Sequence, residues 1–180
     1  GCRRRMAALE PDDLAAIDAI SDTAGIVGFV HQAAMQGRNM LFGFGGMADF
    51  KDSTMNLAYA SQGGLGLPDA TYYTDDSKKD KLAAYQAHVA RMLELSGVAA
   101  TDAADQAAKV VGLETRLARA SKSSVELSRD VSLYYNPLSL ADADKLTPNF
   151  SWSAFFAALG VAAPEKFSLA IPGFHQEVSA

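Results

Sequence analysis

At 180 residues, 49% of them hydrophobic and 21% charged, the chain is one domain or a piece of a larger one, apolar enough to bury a core and too apolar for disorder. Its net charge of −5 leaves no basic footprint, which argues against nucleic acid as a partner, and no apolar run is long enough to span a bilayer. The single cysteine, Cys2, excludes an internal disulfide without fixing a compartment. Cys2 follows Gly1 with no apolar signal region ahead of it and Arg3-Arg4-Arg5 behind it, so an acylated lipoprotein start is not the favoured reading.

The N-terminal third predicts two short helices. Pro11-Asp12-Asp13 opens the first, with Leu14, Ile17 and Ile20 at near-helical spacing. Ser21 or Asp22 caps the second, which carries Ile26, Val27, Phe29, Val30 and Ala34 and closes at Gly37. Residues 40 to 62 then change character. Met40-Leu-Phe-Gly-Phe-Gly and Met55-Asn-Leu-Ala-Tyr-Ala flank the polar tip Asp49-Phe-Lys-Asp-Ser53, the pattern of a β-hairpin with a longish loop.

Ser77 and Asp80 offer a capping-box-like start to a helix striped with Leu82, Tyr85, Val89, Met92 and Leu93 and ended by Gly97. Thr101 and Asp102 cap a second helix carrying Ala107, Val110, Val111, Glu114 and Leu117. So short a loop between them makes an antiparallel helical hairpin. Beyond Ser124 the pieces shorten. Leu133 to Asn136 should be extended ahead of Pro137. Helices are expected over 139–146 and 151–159, the latter turning Trp152, Phe155 and Phe156 inward. A short strand should run through Lys166-Phe-Ser-Leu-Ala-Ile171 to Pro172, and another helix begins near the end. The expected fold class is mainly α: multi-helical, with a central antiparallel helical hairpin and one small β-hairpin.

Catalytic chemistry is hard to find. A zinc site on a helix needs His at i and i+4, so that both imidazoles leave one face, with a Glu between them as base. His31, His88 and His175 stand far apart, none with such a partner, and each reads as a surface or boundary histidine. Gly43-Phe-Gly-Gly-Met-Ala48 fits a dinucleotide fingerprint only on paper, because acidic, turn-like Asp49-Phe-Lys-Asp52 follows where a helix should receive the phosphate. Cys2 lies in a frayable terminus and no serine sits in a nucleophile elbow. Glu114 lies on or beside an apolar helical stripe and Arg129 just beyond that helix, so the two are expected to pair.

The most informative stretch is Gln62-Gly-Gly-Leu-Gly-Leu-Pro-Asp-Ala-Thr-Tyr-Tyr73. Three glycines, a proline and adjacent tyrosines predict a loop held in one shape by its own aromatic side chains. With its spacing Gln62, Leu65, Gly66, Leu67, Pro68, Tyr72, Tyr73, it resembles a block in the N-terminal half of neprilysin-like zinc metalloendopeptidases. Further similarities follow in order: Asp49-x-Lys-Asp-Ser-x-x-Asn56, Tyr85 to Leu95, Leu113-Glu-Thr-x-Leu-Ala118 with Glu114, Arg129-Asp130 with Tyr135-Asn136, and Leu146-Thr-Pro-x-Phe-Ser-Trp152. No one motif is strong, but six in the same order are hard to reach by chance, and together they cover roughly 14 to 174.

The resemblance implies that residues 1–180 are a single segment of the helical N-terminal (lid) domain, which encloses a cavity admitting peptides and excluding folded proteins. It implies zinc as the cofactor of the parent enzyme, with no cofactor in this chain. Its partners are then peptide substrates and a C-terminal thermolysin-like domain where zinc-activated water, with a Glu as general base, attacks the peptide carbonyl. Glu126-Leu-Ser-Arg-Asp130 has the spacing of that family's third zinc ligand and its supporting carboxylate, but with no histidine pair nearby it reads as coincidence. The chain alone lacks His-Glu-x-x-His and is expected to be inactive. The missing disulfide cysteines fit a bacterial relative, exported to the periplasm or secreted. The arginine-rich start and abrupt end lead us to expect excision from a larger protein. The alternative is a stand-alone helical binding module without catalysis.

Overall fold

The computed structural model describes residues 11–180; Cys2 and the Arg3–Arg5 run lie outside the described residues. Helix α1 (Pro11–Asp18) is followed by α2 (Thr23–Met35), whose cap is Asp22: its carboxylate accepts from the Gly25 amide at 2.8 Å. Arg38, just past α2, forks onto both oxygens of Asp13 at 2.8 and 3.0 Å and ties the two helices together.

Strands β1 (Phe42–Ala48) and β2 (Asn56–Gln62) form the expected antiparallel hairpin, with Phe42 opposite Gln62 and Ala48 opposite Asn56. The glycines that mimic a dinucleotide loop are therefore strand residues. After the short α3 (Thr71–Thr74) comes the helical hairpin, α4 (Lys79–Leu95) and α5 (Ala100–Ala120). Its ends differ from the reading of the sequence. A 3-10 turn (Asp76–Lys78) precedes α4, and it is Asp75, not Ser77, that caps, accepting from the Ser77 amide at 2.9 Å. Thr101 and Asp102 fall inside the first turn of α5, whose cap, Ala99, lies two residues before the first of the polar side chains that signalled it. Gly97 closes α4 as expected: at φ +104° it takes the left-handed cap, and the Val98 amide reaches back to the Leu93 carbonyl at 3.0 Å.

Helix α6 (Ser124–Arg129) leads to a second correction. Leu133 and Tyr134 are not extended but belong to a 3-10 turn (Val131–Tyr134), because the Asp130 carboxylate accepts from the Ser132 amide at 3.0 Å and nucleates it. Proline constrains only its immediate predecessor, so extension begins at Tyr135 and continues as β3 (Pro137–Leu138). Then follow α7 (Leu140–Leu146), α8 (Trp152–Ala158), β4 (Phe167–Leu169) and α9 (Pro172–Ser179). Ser139 and Ser151 cap α7 and α8 through their hydroxyls.

The strands join into one sheet rather than a lone hairpin. Tyr59 and Ala60 of β2 pair in parallel with Ser168 and Leu169 of β4, and β3 pairs antiparallel on the far side, giving the order β1-β2-β4-β3. The fold is mainly helical around this small mixed sheet. No helix among the described residues is long and apolar enough to cross a membrane.

The core is aromatic. Phe42, Phe150, Trp152, Phe155, Phe156, Phe167 and Phe174 are buried, with ring pairs such as Phe44–Phe155 at 5.0 Å and 83° in the edge-to-face geometry that π quadrupoles favour. Burying one such side chain contributes about 1.5–3 kcal/mol. On α5 the buried residues Ala103, Ala107, Val111, Glu114, Leu117 and Ala118 keep helical period, and the one charge in that stripe must be satisfied internally.

Removing the fully buried Phe155 (Phe155→Ala) is expected to cost about 3–5 kcal/mol, whereas Met92→Ala on the exposed side of α4 changes stability by less than about 0.5 kcal/mol. Urea unfolding of the two variants measures the contrast.

Candidate functional site

The Gln62–Tyr73 segment leaves β2, crosses the end of α5 and enters α3. Gln62 acts as a pseudo-backbone: its amide nitrogen donates to the Lys122 carbonyl at 2.7 Å, and its amide oxygen accepts from the Lys122 N–H at 2.8 Å. Leu65 packs against both the main aromatic core and a second cluster made of Ala70, Tyr73 and Ala118; Leu67 and Tyr72 pack on the second alone. Pro68 is exposed and Tyr72 half-buried, the Tyr72 ring lying 4.6 Å from Lys78 Nζ and 5.6 Å from Lys81 Nζ.

The loop's shape comes from one buried carboxylate. Tyr73 donates its hydroxyl to Glu114 Oε2 at 2.7 Å, and Tyr85, from α4, donates to Oε1 at 2.9 Å. The Leu67 amide in turn donates to the Tyr73 hydroxyl at 2.9 Å. Burial and then the Glu114 carboxylate raise both phenols, Tyr85 to about 12, so neither can serve as a base near neutral pH. Gly66 is required by the same geometry: a Cβ there would fall 1.8 Å from the Tyr85 hydroxyl oxygen.

Glu114 is thus occupied, and the expected pair with Arg129 does not form. Arg129 is exposed at the end of α6 and makes no ion pair among the described residues. Helical phase explains the miss: Glu114 points to the α3–α4 side of α5, where only hydroxyl donors wait. Asp130 is likewise a local cap. Tyr135 and Asn136 do long-range work. Tyr135 donates to Asp49 Oδ1 at 2.8 Å, Lys166 reaches Asp49 Oδ2 at 3.4 Å, and Phe50 stacks on the Tyr135 ring, which fastens the β1–β2 tip to the return segment. The Lys51 amide, with Tyr135 and Lys166, lowers the Asp49 carboxyl below its ordinary value. Asn136 completes the β3–β4 edge, its amide donating to Ser168 Oγ at 2.8 Å and its carbonyl accepting from Leu169 at 3.0 Å.

One loop residue that matters was not picked out from the sequence. Asp69 accepts from the Thr71 amide at 2.9 Å and from the Ser124 amide at 2.7 Å, joining the loop to the start of α6. Those donors, the Ser124 N–H foremost, hold its carboxyl far below the usual range. The Asp-x-Thr spacing signals the local turn; nothing in the sequence signals Ser124. Between loop and α6 lies a cleft of about 260 Å³ edged by Leu65, Leu67, Pro68 and Leu127. Of its polar side chains, Gln62, Asp69 and Ser121 already have backbone partners, so the cleft is a product of the loop's anchoring rather than a reactive centre.

The residues do not fit a zinc ion. Among the described residues no group of three His, Cys, Asp or Glu side chains is placed to hold a metal. His88 is exposed, His31 meets Phe150 and Phe155 edge-on, and His175 is fully buried against the Ala60 carbonyl rather than at the surface as expected. Glu126 belongs to the capping box of α6 with Ser123.

Residues 6–180 match the N-terminal profile of Peptidase family M13. The chain belongs to that family. It is 36% identical to endothelin-converting enzyme-like 1 of Rattus norvegicus over 107 residues, 58% of this chain and 14% of that protein. It is 32% identical to neprilysin-3 of Drosophila melanogaster over 120 residues, 66% of this chain and 15% of that one. The solved zinc metalloprotease Zmp1 of Mycobacterium tuberculosis, in complex with an inhibitor, superposes with a TM-score of 0.84 at 33% identity, over 93% of this chain and 26% of that one. PepO from Lactobacillus rhamnosis HN001 shares the fold, with a TM-score of 0.73 at 21% identity over 93% of this chain and 27% of that one. The chain therefore spans about a quarter of the length of these solved chains, and its resemblance to the N-terminal region of neprilysin-like metallopeptidases is borne out by the family match.

Glu114→Ala strands two tyrosine hydroxyls in an apolar cluster and is expected to cost about 2–4 kcal/mol. Adding Tyr85→Phe to that variant recovers part of the loss in thermal melts, whereas adding Tyr73→Phe does not, because it also takes the acceptor from the Leu67 amide. Gly66→Ala, driven into the Tyr85 ring, is expected to destabilise more than Tyr85→Phe, a ranking that the same melts check.

Proposed function

We propose that this chain is the N-terminal helical portion of a neprilysin-like zinc metalloendopeptidase, where it encloses the peptide cavity and restricts substrate size. Peptide hydrolysis falls to a C-terminal zinc domain outside this chain, for which the present segment is the intramolecular partner. The observation that carries the reading is the match of residues 6–180 to the M13 N-terminal region, in a chain that covers 26% of Zmp1. Zinc in such a protein would be held by the C-terminal domain; among the residues described here no group of three His, Cys, Asp or Glu side chains is placed to hold it. What the present residues contribute is rigidity. The Glu114–tyrosine network, the Gln62 clamp and the Asp49–Tyr135 tie fix helices, loop and sheet into one body, and a wall that limits substrate size must not yield to a bulky substrate.

The test compares this chain with a longer protein carrying the catalytic domain. The longer protein is expected to cleave short unstructured peptides, to spare folded proteins, and to lose activity with a zinc chelator. The chain alone is expected to be silent, its melting unchanged by chelator. Cleavage of folded proteins as fast as of short peptides would remove the size-restricting role.

A further inference from the structure

His175 lies where α9, the sheet and the aromatic core meet. It is 1% exposed, and its Nε2 stands 3.3 Å from the Ala60 carbonyl, the acceptor that also receives the Ala170 amide at 2.9 Å. With Nε2 donating, the other ring nitrogen, Nδ1, is a bare lone pair, buried and without a partner. The ring is walled by Phe42 of β1, Trp152 of α8 and its neighbour Phe174, at 5.9, 5.5 and 5.2 Å between centroids.

No charge among these walls could receive a second proton's charge. On the helices packed against α9, the charged groups are engaged or exposed elsewhere. Arg116 of α5 pairs with Glu177 at 2.7 Å, and Glu114 is taken by the two tyrosines. Asp102, Asp105, Lys109 and Arg119 are exposed. On α7, Asp142 pairs with Lys145, and Asp144 accepts from the Trp152 amide at the start of α8.

The connection into α9 is also strained. Ile171, between β4 and Pro172, has φ +53°, and it is the single non-glycine residue in the left-handed region among those described. A β-branched side chain pays there in steric overlap, and such a conformation persists only while both flanks are held. β4 is held by the sheet. α9 is held by His175, by Phe174 in the aromatic core, by Arg116–Glu177, and by Asn149, which donates from its side chain to the Ser179 carbonyl at 2.8 Å and from its backbone amide to the Ser179 hydroxyl at 3.0 Å.

We propose that His175 is an acid-operated latch: its neutral ring docks α9 on the sheet, and protonation releases α9, Phe174 with it, about the Ile171 hinge while the rest of the aromatic core and the α4–α5 hairpin stay folded. Burial lowers the His175 pKa to about 4, against 6.5 for a free imidazole, outweighing the Ala60 and Ala170 backbone groups, which favour the charged ring. A folded-state pKa below the unfolded one means that the latch is whole above 6.5 and weakens progressively as pH falls towards 4. His31, half-buried with an unpartnered Nε2 against Phe150 and Phe155, shifts in the same direction but sits on α2.

Hydrogen exchange on this chain, corrected for the intrinsic pH dependence, tests the latch. From pH 7 to pH 4.5 the opening constant of residues 172–179 is expected to rise about 50-fold, while that of α8 stays nearly level. In His175→Gln, whose amide can still donate to Ala60 and never charges, that rise is expected to disappear. Parallel opening of α8 and α9, or an unchanged rise in His175→Gln, overturns the proposal. Should that variant fail to fold, NMR titration of the wild-type imidazole decides: a midpoint well below that of free imidazole supports the latch, and one near it overturns the latch.

Discussion

The geometry of the Gln62–Tyr73 loop depends on one carboxylate buried without a cation. A charge in an apolar setting is tolerated only when enough donors surround it, and Glu114 obtains them from Tyr73 and Tyr85, residues of two other helices. Each tyrosine hydroxyl can serve only if its ring lies at one position, so the requirement propagates outward. Tyr73 fixes the Leu67 amide, and Tyr85 comes so close to Gly66 that no side chain fits. Loop, α3, α4 and α5 become a single cooperative unit because one polar group cannot be left unsatisfied.

The other ties share a form. In each, a side chain captures backbone or a single hydroxyl far along the chain: Gln62 holds Lys122, Asp69 holds Ser124, Asp49 holds Tyr135. They connect the first half of the chain to the segment returning from α5, which the sheet alone reaches only through two residue pairs of β2 and β4. Membership of Peptidase family M13 and the superposition on Zmp1 at a TM-score of 0.84 show that the fold these ties hold together is shared with that protein.

What could be read in the sequence was local. The α5 stripe keeps period from Ala103 to Leu117, and Asp22, Ser139 and Ser151 announce helices that they do cap. Where two polar residues competed, the reading chose the wrong one, as with Ser77 against Asp75, because capping depends on backbone angles that composition does not carry. The loop stood out for its glycines and tyrosines before any partner was visible. Its partners did not: Glu114 and Arg129 are close in sequence, but Glu114 turns to tyrosines on helices that only the tertiary fold brings near. His175 was misjudged for the same reason, since a lone histidine carries no sign of the carbonyl that will receive it.

The parallel pairing of β2 with β4 has a kinetic consequence. Tyr59 and Ala60 find their partners only when Ser168 and Leu169 arrive, after both long helices and most of the aromatic residues of the core. The α4–α5 hairpin rests on neighbours in sequence and can assemble early, but one edge of β2 must stay unpaired until almost the whole segment is present. During synthesis that bare edge is the exposed surface a chaperone would meet, and Ser168 and Leu169 of β4 are what cover it.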